Sequence, residues 1–590
     1  MGHLISKIHI ENYKSIKNQE FDLFGFTPLV GYNNAGKSNI LEAIKWVLRK
    51  TSLKIECFND SAQPITMVGE IEGITTDILD NIDQGHRTRI EPFLENETLT
   101  IKRIQASPSQ SVAQIQLQVL DPTDGITWQN NPTGIDNAIK DLFPEPIHIG
   151  AMENSEDDIS KSSTSSTIGK LLAEIIGPIE LQYGQQVSGA LNGLKEILDA
   201  EGIHRAPELV TFDQEINNKL DAFFPDIKVK VHIPTPELKE VFKKGTIKVY
   251  ENLLPTPKDV GLLGHGAQRS IQMTLIRHLA DLKLASQQNR TTTLLLIDEP
   301  ELYLHPQAIE ILRNSLNVLS NQGYQVIFST HSPFMITQKD VGNTVLVRKN
   351  NTQGTFKRTT LKTAIPLVEQ QAPHQLTLLY SLSNSSNILF SEKVVLAEGK
   401  TENKLLPVII EKVTGKTILH HKAALVKLDG SGSTKKSMQV LSAMDLPTKA
   451  VVDLDFALKN GIKEGYLQAT DTDITACLNE LTNLAVPNNI AIGSDGWPAK
   501  NNGSVSAAEG FSILAKSSNT QQNIINIFTK MQVHNIWVWK NGTIEDHLNL
   551  SGKSEAIWAA FNHTLEQADL QTILPTEYQE IENCINWILN

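Results

Sequence analysis

The sequence has little cysteine, no long apolar run and no excess of positive charge. Its three cysteines, Cys57, Cys477 and Cys584, lie far apart and form no Cys-x-x-Cys pair, so neither a zinc site nor a disulfide framework is indicated. No uninterrupted apolar stretch reaches membrane-spanning length, and the N-terminus lacks the apolar core of a secretory signal. We therefore expect a cytoplasmic protein that does not bind membranes.

The charge balance is acidic, with a formal net charge of -13 at pH 7. This balance argues against a protein that coats nucleic acid through bulk positive charge. It is compatible with a local basic channel and with carboxylates clustered around metal ions. At 590 residues the chain is longer than one hydrophobic core normally supports, so we expect two to four domains.

A phosphate-binding loop follows an apolar strand pattern near the N-terminus. The loop reads GYNNAGKS and matches GxxxxGK[ST], in which backbone N–H groups surround phosphates at the start of a helix. Lys37 would reach the terminal phosphates of a nucleotide, and Ser38 would bind magnesium. The predicted nucleotide-binding residues are Gly31, Asn33, Asn34, Ala35, Gly36, Lys37, Ser38 and Asn39.

Three segments of different composition follow this loop. Residues 55–150 alternate short apolar and polar runs, which predicts β-rich decoration of the nucleotide-binding part. Residues 153–169 are acidic and rich in Ser and Thr, which predicts a mobile loop or linker. Residues 168–225 have helical patterning, for which a dimerisation element and plain core helices are equally good interpretations.

Two more apolar strand patterns end in polar residues. TLLLI runs into Asp298 and Glu299, and QVIFST runs into His331. A strand buried on both faces belongs in a parallel sheet, and ligands bind at the carboxyl ends of such strands. We expect Asp298 to bind magnesium, Glu299 to polarise an attacking water and His331 to sense the γ-phosphate region.

A second set of acids lies in the C-terminal third of the chain. The strand pattern VVLA runs straight into Glu398, with Glu402 four residues later, and a second apolar run leads to Asp453 and Asp455. Acids at positions i and i+2 of a strand face the same side. Four carboxylates close together need cations or protons, and oxygen-rich sites suit Mg²⁺ or Mn²⁺. A pair of such ions can support phosphodiester hydrolysis.

Five motifs in the first two thirds of the chain carry a family resemblance. In order, IENYKSI, GYNNAGKSN, GLLGHGAQRS, LLLIDEPELYLHP and STHSPFMI resemble the N-terminal motif, Walker A, signature, Walker B with D-loop and H-loop of ABC-type ATPases of the RecF/SMC kind. In that family the signature loop of one subunit closes on the nucleotide held by another. The resemblance therefore implies at least a dimer, with Gly264, Gly266 and Gln268 acting in trans. GHGAQ replaces the usual Ser-Gly-Gly-Gln, so His265 is a departure from the family pattern.

The C-terminal motifs extend this resemblance. The order E-G-x-T-E then D-x-D is similar to the Toprim fold of topoisomerases, primases and OLD-family nucleases. An ABC-type ATPase followed by Toprim resembles, over nearly the whole chain, the OLD (overcoming lysogenization defect) family. The resemblance implies a lysine and a further acid after a later strand, for which Lys540 and Glu545 are the candidates and Asp546 an adjacent competitor for the acid. Lys540 would stabilise phosphate charge, and Glu545 would bind the second metal.

The predicted fold is α/β: a RecF/SMC-like ABC ATPase with β-rich decoration and a helical insertion, followed by a Rossmann-like Toprim domain. The expected parts are an ATPase segment with Walker A at 1–150, the insertion at 151–255, an ATPase segment with signature, Walker B and H-loop at 256–386, and the Toprim nuclease domain at 387–590. The basic pair Lys435 and Lys436 would contact phosphates beside the metals or would be an ordinary solvated pair.

The predicted activity is metal-dependent cleavage of DNA, gated by a dimeric ATPase that binds ATP, with Mg²⁺ or Mn²⁺ at both sites. One alternative is a DNA repair or replication ATPase with a Toprim module, and another is an ATP-dependent sensor with an inactive Toprim domain. The family resemblance implies phage defence and a homodimer or larger homo-oligomer. It also implies a partner such as a helicase, or a retron reverse transcriptase with its RNA-linked DNA.

Overall fold

A computed structural model describes residues 2–143, 146–150, 167–235, 247–250, 256–285, 292–337, 339–360, 362, 387–428, 434–500 and 504–590. The chain forms two compact units. The first comprises residues 1–14, 22–26 and 38–329, and the second comprises residues 15–21, 27–37 and 330–590. Residues 153–166 of the expected linker, and the expected boundary at 386, lie outside the described residues, and the four expected domain ranges stay predictions.

In the first unit, five antiparallel strands form a meander in which Leu4–Tyr13 pairs with Ile65–Glu72. Leu99–Gln105, Gln116–Leu120 and Trp128–Asn130 follow in that order. Residues 65–71 alternate between buried and half-buried and Glu72 is exposed, as expected for a strand with one face on the core. The prediction of a β-rich segment between residues 55 and 150 is confirmed.

The first unit also contains a parallel arrangement. Thr293–Ile297 lies between Tyr324–Thr330 and Ile147–Ile149 and is parallel to both. All five residues of Thr293–Ile297 are buried, which fits a strand covered on both faces. The prediction of a buried parallel strand leading into Asp298 is therefore confirmed.

Helices of this part of the chain include the long segment predicted to be helical. Thr167–Leu198 and Pro207–Leu220 confirm that prediction, and Lys37–Leu48 confirms a helix immediately after the phosphate-binding loop. The remaining helices are Thr76–Leu79, Gln84–Ile90, Ile135–Leu142, His265–Ala285 and Pro306–Ser320, and a short ladder joins Lys248–Val249 to Lys258–Asp259.

The second unit contains a four-stranded parallel sheet in the order Ala423–Lys427, Lys393–Ala397, Thr448–Val452 and Ile536–Val538. The last four residues of Lys393–Ala397 are buried, and the strand runs straight into Glu398. Because all four strands are parallel, residues that follow them lie at one edge of the sheet. In the same unit, Val345–Asn350 pairs with Gly354–Lys357 and with the Walker A strand, Phe26–Val30.

Helices cover this parallel sheet. Lys400–Thr414 begins directly after Glu398 and Gly399, and its buried face includes Leu405, Leu406 and Ile409. The other helices are Thr434–Ala443, Gly461–Lys463, Thr472–Ala485, Ala507–Lys516, Gln521–Gln532, Ile544–His547, Glu555–Gln567, Leu570–Ile573 and Tyr578–Leu589, with a π-helical turn at Phe456–Asn460.

Candidate nucleotide and nuclease sites

The Walker A loop requires glycine at two positions. A Cβ at Gly31 would lie 2.4 Å from the carbonyl oxygen of Val347, and one at Gly36 would lie 2.2 Å from Oγ1 of Thr355. Gly36 also has a positive φ of 101°. The backbone of the loop is therefore packed against neighbouring strands of the second unit.

Lys37 is buried at the end of this loop. Its ammonium donates to the carbonyl oxygens of Gly31 at 3.1 Å and Tyr32 at 3.2 Å, and it lies 2.7 Å from Nε2 of His331. The predicted phosphate-binding lysine and the predicted sensor histidine are thus in direct contact. The side chains of Asn33 and Asn34 are exposed, Ala35 is buried, and Asn39 is half-buried.

The Walker B acids lie after a buried strand of the first unit. Asp298 accepts one hydrogen bond from Ser38 Oγ at 2.6 Å and a short one from Ser329 Oγ. The same Ser329 hydroxyl accepts the backbone N–H of Glu299 at 3.0 Å. Glu299 has a positive φ of 46°, a conformation that is uncommon outside glycine. Ser329 therefore holds both Walker B acids, which the sequence motifs did not indicate.

The signature residues lie at the start of the helix His265–Ala285. A Cβ at Gly266 would lie 2.7 Å from the carbonyl oxygen of Tyr303, whereas one at Gly264 would meet nothing within 4 Å. Gln268 is buried and donates to the carbonyl oxygen of Leu263 at 2.8 Å. The ring of His265, the departure from the family pattern, lies 5.0 Å from the ring of Tyr303. Gly266 and His265 thus share one neighbour within the first unit.

Five carboxylates gather at the carboxyl edge of the parallel sheet in the second unit. Glu398 accepts the backbone N–H of Asp453 at 3.1 Å, which joins two neighbouring strand ends. Lys553 lies 3.6 Å from Asp453 and 3.3 Å from Glu545. The five are Glu398, Glu402, Asp453, Asp455 and Glu545, and the sequence motifs predicted all of them.

The route by which Asp455 reaches this cluster differs from the expectation. Strand alternation was expected to put Asp453 and Asp455 on one side, but the strand ends at Val452. Asp455 has helical angles of φ -61° and ψ -33° and lies directly before the π-helical turn Phe456–Asn460. The expectation of an extended D-x-D is therefore wrong: the chain turns into a helix after the first acid, and this turn carries the second.

Burial and mutual repulsion shift the protonation of the cluster. Burial, with repulsion from Asp455, raises the pKa of Glu398 to about 8. Burial raises the pKa of Glu402 to about 7, with repulsion from Glu545 adding to it. Burial, followed by repulsion from Glu402 and Glu398, raises the pKa of Asp453 well above its usual range. The pKa of Asp455 is also raised, mainly by burial. Negative charge is therefore in excess at this edge.

A lysine that sequence reasoning missed lies against the cluster. Although burial lowers the pKa of Lys553, attraction to Asp453, Glu545 and Glu402 raises it above the usual value. Lys540, the predicted lysine, instead forms an ion pair with Glu580 at 2.8 Å and lies over the ring of Phe528. These contacts favour Lys553 over Lys540 as the cation of the site. Lys553 is in a loop before the helix Glu555–Gln567, where no strand pattern marks it.

The adjacent acids 545 and 546 have different roles. Asp546 accepts from Ser512 Oγ at 2.6 Å and takes part in the capping box of Thr543 at the start of the helix Ile544–His547. That structural use leaves Glu545 as the member of the cluster. Lys435, half of the predicted basic pair, donates to the carbonyl oxygen of Glu464 and lies 5.6 Å from the ring centre of Tyr466.

The chemistry of the cluster suits a hard divalent cation. Asp453 Oδ1 and Asp455 Oδ1 are buried and accept no hydrogen bond among the described residues. Unsatisfied carboxylate oxygens of this kind are the ligands that Mg²⁺ and Mn²⁺ prefer. No three His, Cys, Asp or Glu side chains of the described ranges already converge into a coordination shell, so these side chains would have to move together around an ion.

The comparison with protein-family models identifies the two parts of the chain. A model described as an AAA ATPase domain matches residues 4–143 and 126–336. A second model, described as an overcoming lysogenization defect protein-like Toprim domain, matches residues 389–455. The chain is therefore of the class that joins an ATPase domain to a Toprim nuclease domain, as its motifs predicted.

The relatives place the chain within that class. It is 37% identical to the Old nuclease of Escherichia phage P2 over 99% of both chains. The chain belongs to the OLD nuclease family and is a hydrolase with an ATPase and a nuclease domain. It is also 24% identical to the endonuclease GajA of Bacillus cereus strain VD045, over 69% of this chain and 68% of that one. With the OLD nuclease of Thermus scotoductus it shares 21% identity, over 77% and 82%.

A solved structure gives a more distant likeness. An Smc head domain bound to the winged-helix domain of ScpA aligns with 61% of this chain and 99% of its own, at 15% identity and a TM-score of 0.38. Among the described residues, no helix is long and apolar enough to cross a membrane.

Proposed function

We propose that the chain is a divalent-metal-dependent DNA endonuclease whose Toprim site is controlled by ATP at its ATPase domain. The observation that carries this proposal is the gathering of Glu398, Asp453 and Glu545 around Lys553 at the carboxyl edge of the parallel sheet. Five buried or half-buried acids in one cluster destabilise a fold unless cations or protons neutralise them.

Each group of the cluster has a role in this proposal. A bound divalent cation would supply Lewis-acid stabilisation of the phosphate and a water of lowered pKa. The carboxylates of Glu398, Asp453 and Asp455 would hold it, and Glu402 and Glu545 would complete its environment or hold a second ion. Lys553 would bind a phosphate oxygen of the cleaved strand, because its side chain is half-exposed while its ammonium reaches the acids.

In the ATPase domain, Lys37 would bind the terminal phosphates, Ser38 and Asp298 would hold Mg²⁺, and Glu299 would orient the attacking water. The contacts of Asp298 with Ser38 and of Glu299 with Ser329 support these roles, because they fix both acids. His331 would report the state of the phosphates through its contact with Lys37.

A homodimer completes the proposal. Large apolar side chains are exposed in the segment that follows the helix Thr167–Leu198. They include Ile203 at 83%, Phe223 at 76% and Phe224 at 57% exposure. Exposed apolar surface of this kind is typical of an interface, and a second copy of the chain would cover it. The double substitution Phe223→Asp and Phe224→Asp should lower the mass measured by light scattering from dimer to monomer.

Anti-phage defence is the cellular role that we propose. Because a relative is encoded by Escherichia phage P2, the target would be a phage other than the one that carries the nuclease. A helicase or a retron reverse transcriptase with RNA-linked DNA would be candidate partners. Expression of the wild type should reduce plaque formation by an unrelated phage, and Glu398→Ala should restore it. Equal plaque counts with both proteins would exclude a role of the nuclease in defence against that phage.

The proposed activity is tested by cleavage of supercoiled plasmid with Mg²⁺ or Mn²⁺, with and without ATP. The wild type should cut, Glu398→Ala should not, and Lys37→Ala should show whether ATP permits or restrains cutting. If Glu398→Ala cuts as well as the wild type, the acidic cluster is not the nuclease site. If no protein cuts with either metal, the sensor with an inactive Toprim domain becomes the better account.

A further inference from the structure

A hydroxyl group inside the E-G-K-T-E motif contacts the acid contributed by a distant part of the chain. Thr401 Oγ1 donates a short hydrogen bond to Glu545 Oε1. Thr401 is only 2% exposed and Glu545 only 6% exposed, so the bond is shielded from water. It ties the first turn of the helix Lys400–Thr414 to the helix Ile544–His547, which follows the last strand of the sheet.

This bond fixes one side of a carboxylate whose other side faces the cluster. Glu545 Oε2 is buried and forms an ion pair with the Lys553 ammonium at 3.3 Å. The side chain of Lys553 is 53% exposed and has four flexible carbons, so it holds Glu545 only loosely. Thr401 is β-branched and stiff at χ1, which makes it the more rigid of the two partners.

The neighbouring residues of the motif show why a fixed position matters. Glu402 follows Thr401 directly, and its negative charge repels Glu545. A Cβ at Gly399 would lie 2.7 Å from Oε2 of Glu402, so a side chain at this position would displace that carboxylate. The two neighbours of this motif thus act on two mutually repelling acids. Gly399 leaves space for Glu402, and Thr401 donates a hydrogen bond to Glu545.

We propose that Thr401 is a positioning residue that orients the Glu545 carboxylate toward a divalent cation. The inference rests on the proposed function, since it assigns a support to the same metal site. Groups that hold metal ligands in place without touching the metal commonly change its affinity when they are removed. In this proposal Thr401 acts through its hydrogen bond to the candidate ligand Glu545.

The test is Mn²⁺ binding to the full-length, nucleotide-free protein, measured by isothermal titration calorimetry. Thr401→Val keeps the shape of the side chain and removes the donor, and it should weaken Mn²⁺ binding about tenfold. Thr401→Ser keeps the donor and should bind Mn²⁺ nearly as the wild type does. Rescue by serine separates the hydroxyl from the packing of the methyl group.

A double-mutant cycle tests whether Thr401 acts through Glu545. Glu545→Ala should itself weaken Mn²⁺ binding, and adding Thr401→Val to it should cause no further loss, because the acceptor is already gone. An additive loss in the double variant would overturn the inference. Thr414→Val is the matched control, since that threonine ends the same helix about 20 Å away, bonded to the carbonyl oxygen of Ile410.

Glu398→Gln separates failure of the inference from failure of the proposed function. A Mn²⁺ site of the wild type is assigned to the acidic cluster when Glu398→Gln abolishes it. If the wild type has no such site, the proposed metal-dependent function fails. If the wild type has one and Thr401→Val binds Mn²⁺ with the same affinity, the metal site stands and the role of Thr401 is contradicted. Melting temperatures without metal should be similar for Thr401→Ser and the wild type, which confirms folded protein.

Discussion

The chain holds acids at the ends of buried parallel strands in two places, and it treats them differently. In the first unit, Asp298 is one carboxylate satisfied by two hydroxyls, from Ser38 and Ser329. In the second unit five carboxylates lie together, and among the described residues Lys553 pairs with Asp453 and Glu545 while Thr401 donates to Glu545. Neutral donors are enough for a single acid, whereas the crowded cluster needs cations or protons to balance its charge.

Because of this difference, we expect the two sites to respond differently to pH. At the Walker B site, two hydroxyl donors hold the Asp298 carboxylate in place. In the Toprim cluster, Glu402 and Glu398 have pKa values of about 7 and about 8, close to neutral pH. We therefore expect metal binding at the cluster to weaken as the pH falls, because protons and divalent cations compete for the same oxygens.

The largest expected effect is loss of a cluster carboxylate. Glu398→Gln should lower the rate of plasmid cleavage about a thousandfold, because metal-assisted stabilisation is worth several kcal/mol and about 4 kcal/mol corresponds to that factor. ATP hydrolysis without DNA should be little changed. The control is Glu411→Gln, an exposed glutamate on the helix that follows Glu398, which should cut at the wild-type rate.

The second prediction compares the two lysines. Lys553→Met should lower cleavage about a hundredfold, the usual cost of removing one group that stabilises transition-state charge. Lys540→Met should have little effect on cleavage, since its ammonium pairs with Glu580. Single-turnover rates with saturating Mn²⁺ measure both. A larger loss from Lys540→Met than from Lys553→Met would restore the lysine predicted from sequence.

The third prediction concerns the hydroxyl of the Walker B site. Ser329→Ala removes the group that contacts Asp298 and the Glu299 N–H, and it should lower the rate of ATP hydrolysis about tenfold. Ser320→Ala, which removes only a bond to the carbonyl oxygen of Asn317, should hydrolyse ATP normally. Equal rates in both variants would mean that Ser329 does not organise the Walker B acids.

The smallest expected effect is on stability without metal. Because the folded pKa values of Glu402 and Glu398 are raised from 4.5, their contribution to stability is present at low pH and lost as pH rises through about 7 and 8. The melting temperature of the metal-free wild type should therefore fall more between pH 6 and pH 9 than that of Glu398→Gln. Identical pH dependence in the two proteins would contradict the raised pKa of Glu398.

Much of both sites could be predicted because strand ends and glycine loops leave local signals. The runs TLLLI and VVLA are continuous apolar strands, and the acids directly after them were expected from parallel-sheet geometry. Gly31 and Gly36 are explained by close contacts that any side chain would break. The alternation of Ile65–Glu72 likewise follows from a strand with one buried face.

What could not be predicted depends on contacts between distant parts of the chain. Lys553 lies in a loop with no periodic pattern, and only the fold brings it to Asp453 and Glu545. Lys540 follows the last strand, where a lysine of the site was expected, yet its ammonium pairs with Glu580 of the C-terminal helix. Asp455 was expected on a strand, but the chain turns into a helix one residue earlier, and no local signal marked that turn.

Metal binding at the acidic cluster is tested most directly by anomalous diffraction from crystals of the full-length protein soaked in Mn²⁺ without nucleotide. We expect a peak bounded by Glu398, Asp453 and Asp455, with Lys553 beside it, and no peak there in Glu398→Gln crystals. A peak elsewhere in the second unit, with this cluster unoccupied at saturating Mn²⁺, would contradict the claim that these acids form the metal site of the nuclease.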